Sequence, residues 1–181
     1  HPLPREDPDT SLAWLAGEYL RAFGPATVED FAWWAGVPKG RGRKAVEAAG
    51  AIEALPGHFL PAEYADEFLG TVPVEPGSLA LLPKWDSYTM AYAPGGRQRL
   101  LHPEHVGLAY SRRPGGATVG DGLPLVLRGG RAVATWSHRF VGNRMEVSMT
   151  PFEDEPPLPV EAYEQVGRVL VASEVVLRPT R

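Results

Sequence analysis

The 181-residue chain contains no cysteine. That excludes disulfides, thiolate nucleophiles and cysteine-ligated zinc, and it fits a reducing compartment, so a cytoplasmic protein is expected. Long apolar runs are missing as well. No uninterrupted stretch approaches the roughly 20 residues that cross a bilayer, and no basic segment followed by an apolar one opens the chain. No membrane partner is therefore expected. Lysine is scarce: it occurs at 39, 44 and 84, so 15 of the 18 basic residues are arginine. With 20 Gly and 19 Pro, this reads as GC-rich coding bias, and it does not by itself identify a nucleic-acid partner. An initiator Met is absent, and the opening His1-Pro2-Leu3-Pro4 reads as a cut end.

What is present is ordinary in amount and uneven in placement. Hydrophobic residues make up 44%, too many for a disordered chain and enough for one large core or two small ones. The net charge is −4, yet residues 84–145 hold nine bases against three acids. Residues 1–38 hold two bases and six acids, and residues 146–181 three and seven. Lys39, Arg41, Arg43 and Lys44 form a cluster with no acid inside it. An anionic polymer needs a basic surface rather than a basic protein, because charge is screened within about 10 Å at moderate salt. The competing reading is a pair of solvated faces with chance asymmetry.

Residues 11–23 place Leu12, Leu15, Tyr19, Leu20 and Phe23 on one helical stripe, with Thr10 or Ser11 as the cap and Gly24-Pro25 as the stop. Thr27 opens a second helix, with Asp30 three residues on in capping-box spacing, and Gly36 ends it. A third helix fits 39–50, with Ala45, Val46 and Ala49 inward. AIEAL, a Pro56-Gly57 turn and HFLP then make a short hairpin. Helix, helix, tight turn, helix, hairpin is the order of a winged helix–turn–helix, assigned to residues 1–70. An acidic amphipathic segment, AEYADEFLG, and a Pro/Gly-rich linker follow. Strand-like runs fill residues 71–181: LALL, SYTMAYA, LPLVLR, RAVATWSHRF and NRMEVSMTPF. Gly129-Gly130 and Gly142-Asn143 mark hairpin turns, and a helix fits 160–172. The expected fold is α+β: a winged helix–turn–helix, then a small antiparallel sheet or partial barrel closed by a C-terminal helix.

Few motifs carry chemistry. Ser87, Ser111 and Ser137 lie outside any G-x-S-x-G context, and RPGGATVGDG lacks a P-loop or dinucleotide fingerprint. His102 and His105 are three apart, but Pro103 lies between them and no cysteine helps, so they read as polar loop residues. Neither a catalytic residue, a metal site nor a cofactor is expected. Four of the five tryptophans, at 33, 34, 85 and 136, could stack on bases, and most of these are expected in the core. The strongest functional feature is the basic third helix, since a helix fits the major groove and Arg pairs with guanine or clamps phosphate. Gly40 and Gly42 weaken that end by about 1 kcal/mol each relative to Ala. The candidate duplex-DNA contacts are Lys39, Arg41, Arg43 and Lys44 there, and Arg97, Arg99, Arg112 and Arg113 in the second half. Glu53, Pro56, Gly57 and His58 of the hairpin turn offer no Arg or Lys to a minor groove. That absence counts against a free-standing transcription regulator. Two other readings stay open beside a repair protein: a regulator-like protein that binds DNA without catalysis, and a module that binds protein.

Three blocks, YLRAFGPATVEDFAWWAGV, LLPKWDSYTMAY and the Gly129-Gly130 hairpin running into AVATW, resemble a bacterial winged-helix DNA-binding family. It is the family that includes the YcaQ/AlkZ-type DNA glycosylases, which unhook interstrand crosslinks. The resemblance spans roughly residues 12 to 140. It implies a DNA-binding C-terminal portion, because family members are about twice this length, and it implies a missing N-terminal half of the same protein as partner. The Gln-x-Gln or Gln-x-Asp pair of the glycosylases lies upstream in that family. Gln98 and Gln165, the only glutamines here, fit neither pattern. Asp86 matches an acidic position of the middle block, where it either caps or tethers the strand, or else orients a nearby Arg or approaches a lesion.

Overall fold

The computed structural model describes residues 7–112, 118–154, 156 and 158–178. The chain divides into two compact units: residues 1–73 with 91–96, and residues 74–90 with 97–181.

In the first unit, α1 (Pro8–Phe23) starts two to three residues earlier than its apolar stripe indicates. Asp7, rather than Thr10 or Ser11, caps it by accepting from the N–H groups of Asp9 and Thr10, with Pro8 at the first helical position. A two-residue strand, β1 (Ala26–Thr27), leads into α2 (Val28–Ala35) and then α3 (Lys39–Ala48). The hairpin β2 (Ala51–Leu55) and β3 (His58–Pro61) follows, and β3 pairs on its far side with β1. β1 has too few residues to leave a periodic signal. A 3₁₀ turn and α4 (Ala65–Leu69) close this stretch. Tyr19 sits at the centre of the core, with ring centroids 5.5 Å from Phe31, 5.4 Å from Phe23 and 5.1 Å from Trp34. Ala16, Leu20, Ala45 and Val46 complete it.

Thr27 and Asp30 form a reciprocal capping box: the Asp30 N–H donates to Thr27 Oγ1 at 3.0 Å, and the Thr27 N–H donates to Asp30 Oδ2 at 3.0 Å. Asp30 does more than cap. It is buried, and its second oxygen accepts from the Ala93 N–H at 2.9 Å. Two tyrosines fix the same returning segment, Tyr19 Oη donating to the Ala91 carbonyl at 2.9 Å and Tyr92 Oη to the Phe23 carbonyl at 3.0 Å. The block SYTMAYA, expected as a strand, is therefore not one. Ser87–Met90 forms a single helical turn, α5, and Ala91, Tyr92 and Ala93 are buried in the first unit.

The second unit is built on an open five-stranded sheet. Its strands are β4 (Leu79–Leu82), β7 (Leu125–Arg128), β8 (Arg131–Val141), β9 (Arg144–Pro151) and β10 (Glu174–Leu177). The spatial order is β10-β9-β8-β7-β4, without closure into a barrel among the described residues. A helical turn α6 (Val106–Ala109) and a two-stranded ladder of β5 (Tyr110–Arg112) and β6 (Thr118–Gly122) precede β7. Gly129 and Gly130 both take positive φ (55° and 78°), as the tight β7–β8 turn requires. The sheet is antiparallel except at one edge. After α7 (Glu161–Val169) the chain adds β10 parallel to β9, so the antiparallel expectation is corrected at that edge alone. Buried Gly167 permits this crossover, since a Cβ on it would collide with the Val175 side chain.

The two faces of this sheet differ. Trp136, Met145 and Val147 face Leu158 and Tyr163 on the side α7 covers, and the Trp136 indole donates to the Leu82 carbonyl at 3.0 Å. On the opposite face Glu146, only 5% exposed, receives Arg139 at 2.7 Å, Arg178 at 2.7 Å and Arg144 at 3.0 Å. The hydrogen bond from Arg139, outweighing partial desolvation and joined by Arg178, holds this carboxyl down to about 2 from its ordinary 4.5. Because the folded value is the lower one, its stabilisation is complete above about pH 5 and fades as pH falls from about 4.5 through 2. Glu146→Gln is thus expected to melt at a lower temperature at pH 7 and to lose less stability than the wild type on acidification across that window. Thermal unfolding at stepped pH measures it, and parallel wild-type and variant curves would refute the assignment.

Candidate nucleic-acid interface

α2 ends at Gly36, whose positive φ of 66° turns the chain, and Pro38 then starts α3 with no side-chain cap. Four cations in the first six residues of a helix oppose its dipole, which favours anions at that end. Local stability does not explain them. A bound anion would.

The third-helix cluster divides in two. Lys39 Nζ lies 3.0 Å from Glu29, and Arg41 Nη2 lies 2.9 Å from Asp9, so these two are already engaged on the surface. Arg43 and Lys44 are exposed and have no acidic partner among the described residues. Exposed pairs such as Lys39–Glu29 are worth roughly 0–1 kcal/mol, so a phosphate can displace either acid. A cleft of about 570 Å³ opens beside this end of the helix, walled by Lys39, Arg43, Glu29, Glu53 and His58. Glu53 accepts from the Gly57 N–H, and the His58 ring donates Nδ1–H to the Pro56 carbonyl at 2.9 Å. The hairpin turn therefore brings a carboxylate and an internally bonded histidine to the cleft, and no cation.

The second basic set does not form a surface cluster. Arg97 is buried at 1% exposure, with its guanidinium 3.7 Å from the centre of the Tyr110 ring. Burial lowers its pKa, and the Tyr110 hydroxyl donates to the Thr89 carbonyl at 2.6 Å. A side chain used in this way is withdrawn from phosphate. Arg99 is half-buried. Arg112 ends β5, and its side chain, like the whole of Arg113, lies outside the described residues.

The tryptophans also depart from expectation. Trp136 is buried, but Trp33, Trp34 and Trp85 are exposed, Trp85 by 64% with Lys84 Nζ 4.7 Å from its ring centre. Asp86 accepts from the Tyr88 N–H at 2.9 Å and caps α5. His102 precedes and His105 ends a 3₁₀ turn (Pro103–His105), with rings 5.6 Å apart, and His105 lies 3.0 Å from Glu153. Among the described residues no group of three or more His, Asp or Glu could hold a metal, and no helix is long and apolar enough to cross a membrane. Gln98 lies in the 3₁₀ turn Pro94–Arg99 and Gln165 on α7.

A family model for AlkZ-like DNA glycosylases matches residues 1–165. The chain belongs to the AlkZ-like DNA glycosylase family. This is the family that the three sequence blocks resemble. An interstrand DNA cross-link repair glycosylase of Streptomyces sahachiroi is 32% identical over 185 aligned positions, covering 97% of this chain and 46% of that protein. The solved structure of the Streptomyces sahachiroi DNA glycosylase AlkZ superposes with a TM-score of 0.73 at 29% identity, over 97% of this chain and 47% of that one. The chain thus spans about half the length of the family relatives it matches, and its mixed α+β architecture is similar to theirs.

Two glycines at the basic end of α3 have different roles. Gly42 is buried, and a Cβ there would lie 3.0 Å from that of Ala32, so the close α2–α3 packing needs it. Nothing lies within 4 Å of the corresponding point at Gly40. Gly40→Ala should stabilise the chain by about 0.5–1 kcal/mol, whereas Gly42→Ala should be neutral or destabilising because crowding offsets the propensity gain. Urea denaturation of both variants measures this, and equal stabilisation by both would contradict the packing role of Gly42.

Proposed function

We propose that the chain is the duplex-DNA-binding portion of a DNA-repair glycosylase of this family, and that it carries no catalytic group of its own. In this reading α1–α3 and the β2–β3 hairpin form a winged helix–turn–helix, and α3 enters the major groove. Arg43 and Lys44 make the first contacts, and Lys39 and Arg41 exchange Glu29 and Asp9 for phosphate. The observation that carries the reading is the exposed, acid-free pair Arg43 and Lys44 at the end of a helix whose dipole already favours an anion. Arg99, Arg112 and Arg113 make secondary contacts in this reading, and Arg97, being buried, makes none. Base excision in the whole protein would depend on residues outside this chain, and a cross-link substrate is proposed by analogy with the relative's name.

A second reading, a protein-binding module, draws on Trp14 at 66% exposure and on the exposed Trp33 and Trp34. Salt-dependent binding separates the two. Phosphate neutralisation makes log K fall with log salt by about 0.9 per contact. Arg43→Ala with Lys44→Ala should weaken binding to a short labelled duplex and make that slope shallower by up to about two. Asp9→Asn, which releases Arg41, should strengthen binding. Fluorescence anisotropy at several salt concentrations reads both effects. Unchanged affinity and slope in the double variant would favour the protein-binding reading. Base release from alkylated duplex by this chain alone, lost on one point substitution within it, would overturn the absence of a catalytic group.

A further inference from the structure

Three arginines converge on one carboxylate on the sheet face that α7 leaves open. Antiparallel register sets Arg139 opposite Glu146, and parallel register lays Val176 beside Glu146, which brings Arg178 alongside. Arg139 and Arg178 each turn Nε to Glu146, so among the described residues no other hydrogen bond engages the outer amino groups of either fork. One guanidinium would neutralise Glu146. The other two are surplus and repel each other, which lowers stability unless an anion is present. Glu174 lies beside Arg144 in register without pairing to it, so the patch stays cationic with that acid counted. The guanidiniums are also held in place beforehand, which reduces the ordering cost of contacting an anion.

The same face continues as hydroxyls. Ser137 faces Ser148, and Thr135 faces Thr150, with no acid on these two strands other than Glu146. Thr135 lies beside fully buried Leu125, so the exposed strip runs from Ser137 to Val141, roughly 13 Å at about 3.3 Å per residue. One strand of duplex passes a phosphate about every 3.4 Å of axis, so a strip of this length meets several in succession. Small phosphate ligands are held in concave sites. A flat face of arginine and serine instead fits a polymer backbone, whose phosphates are contacted by these side-chain types.

We propose that Arg139, Arg144 and Arg178, organised by Glu146, together with Ser137 and Ser148, form a second phosphate-contacting strip for duplex DNA. The inference rests on the reading of this chain as a DNA-binding portion and adds a surface separate from α3. Arg144→Gln with Arg178→Gln keeps Arg139 on Glu146. This variant is expected to weaken duplex binding about tenfold and to flatten the salt slope by up to about two. The matching Lys pair should retain the slope, since the charge stays. Ser137→Glu removes none of the arginines and should weaken binding by adding negative charge to the strip, which covers the case in which the Gln variant fails to fold. Anisotropy with a short fluorescein-labelled duplex reads all of these, with thermal unfolding as the folding control. A folded Gln variant, or Ser137→Glu, that binds with wild-type affinity and slope overturns the strip. If Arg43→Ala with Lys44→Ala weakens binding in the same series, the α3 reading survives that outcome. A wild-type chain that binds no duplex overturns both.

Discussion

The buried carboxylate of Asp30 joins local to long-range order in the first unit. One oxygen completes the capping box with Thr27, an interaction set by three residues of sequence. The other accepts from Ala93, 63 residues away, and so anchors a segment that leaves the unit for the sheet and returns. A carboxylate shut away from water is costly unless its lone pairs are occupied, so α2 and the returning segment depend on each other. Gly96 follows from the same constraint, since any side chain there would strike Asp30. The Tyr19 and Tyr92 hydroxyls tie down carbonyls at the two ends of this arrangement, and α3 packs on the helix pair so stabilised.

Charge is placed with similar economy. Arg21 is shared between Glu18 and Glu63, Lys39 and Arg41 are held by acids of α2 and α1, and Arg97 is folded over an aromatic ring. What remains outward at the start of α3 is Arg43 and Lys44, and on the open sheet face the three arginines around Glu146. A count of bases along the chain does not anticipate this. Arg97 counts as one positive charge in sequence and offers none to a partner, while Arg178 belongs to an acidic stretch yet joins the arginines around Glu146. Among the described residues, the start of α3 and the open sheet face are two places where bases gather with fewer acids than would balance them.

Several elements were legible because their signals are local. The α2 capping box, the paired glycines of the β7–β8 turn, the apolar stripe of α1 and the alternation in β8 and β9 each involve neighbours a few residues apart. SYTMAYA misled for an equally physical reason. Alternating small and aromatic residues suit a strand, but here they suit a helical turn followed by a segment buried by partners from α1 and α2. β10 escaped notice because its four residues pair in parallel only after α7 has reversed the chain. Trp33, Trp34 and Trp85 are exposed although their hydrophobicity favours the core, because hydrophobicity sets a preference for burial without saying which faces find a partner.

By itself, the sequence determined the helix boundaries to within a few residues, the hairpin turns, the α+β content and, through three ordered blocks, the family. These follow from backbone sterics, capping and periodicity, which act over one or two turns of chain. Tertiary structure decided which arginines are buried, paired or outward, that residues 91–96 belong with the helices, and that one sheet edge is parallel. Each of those depends on groups distant in sequence meeting in a medium of low dielectric, where an unpartnered charge or amide is too costly to persist and the available partners decide the arrangement.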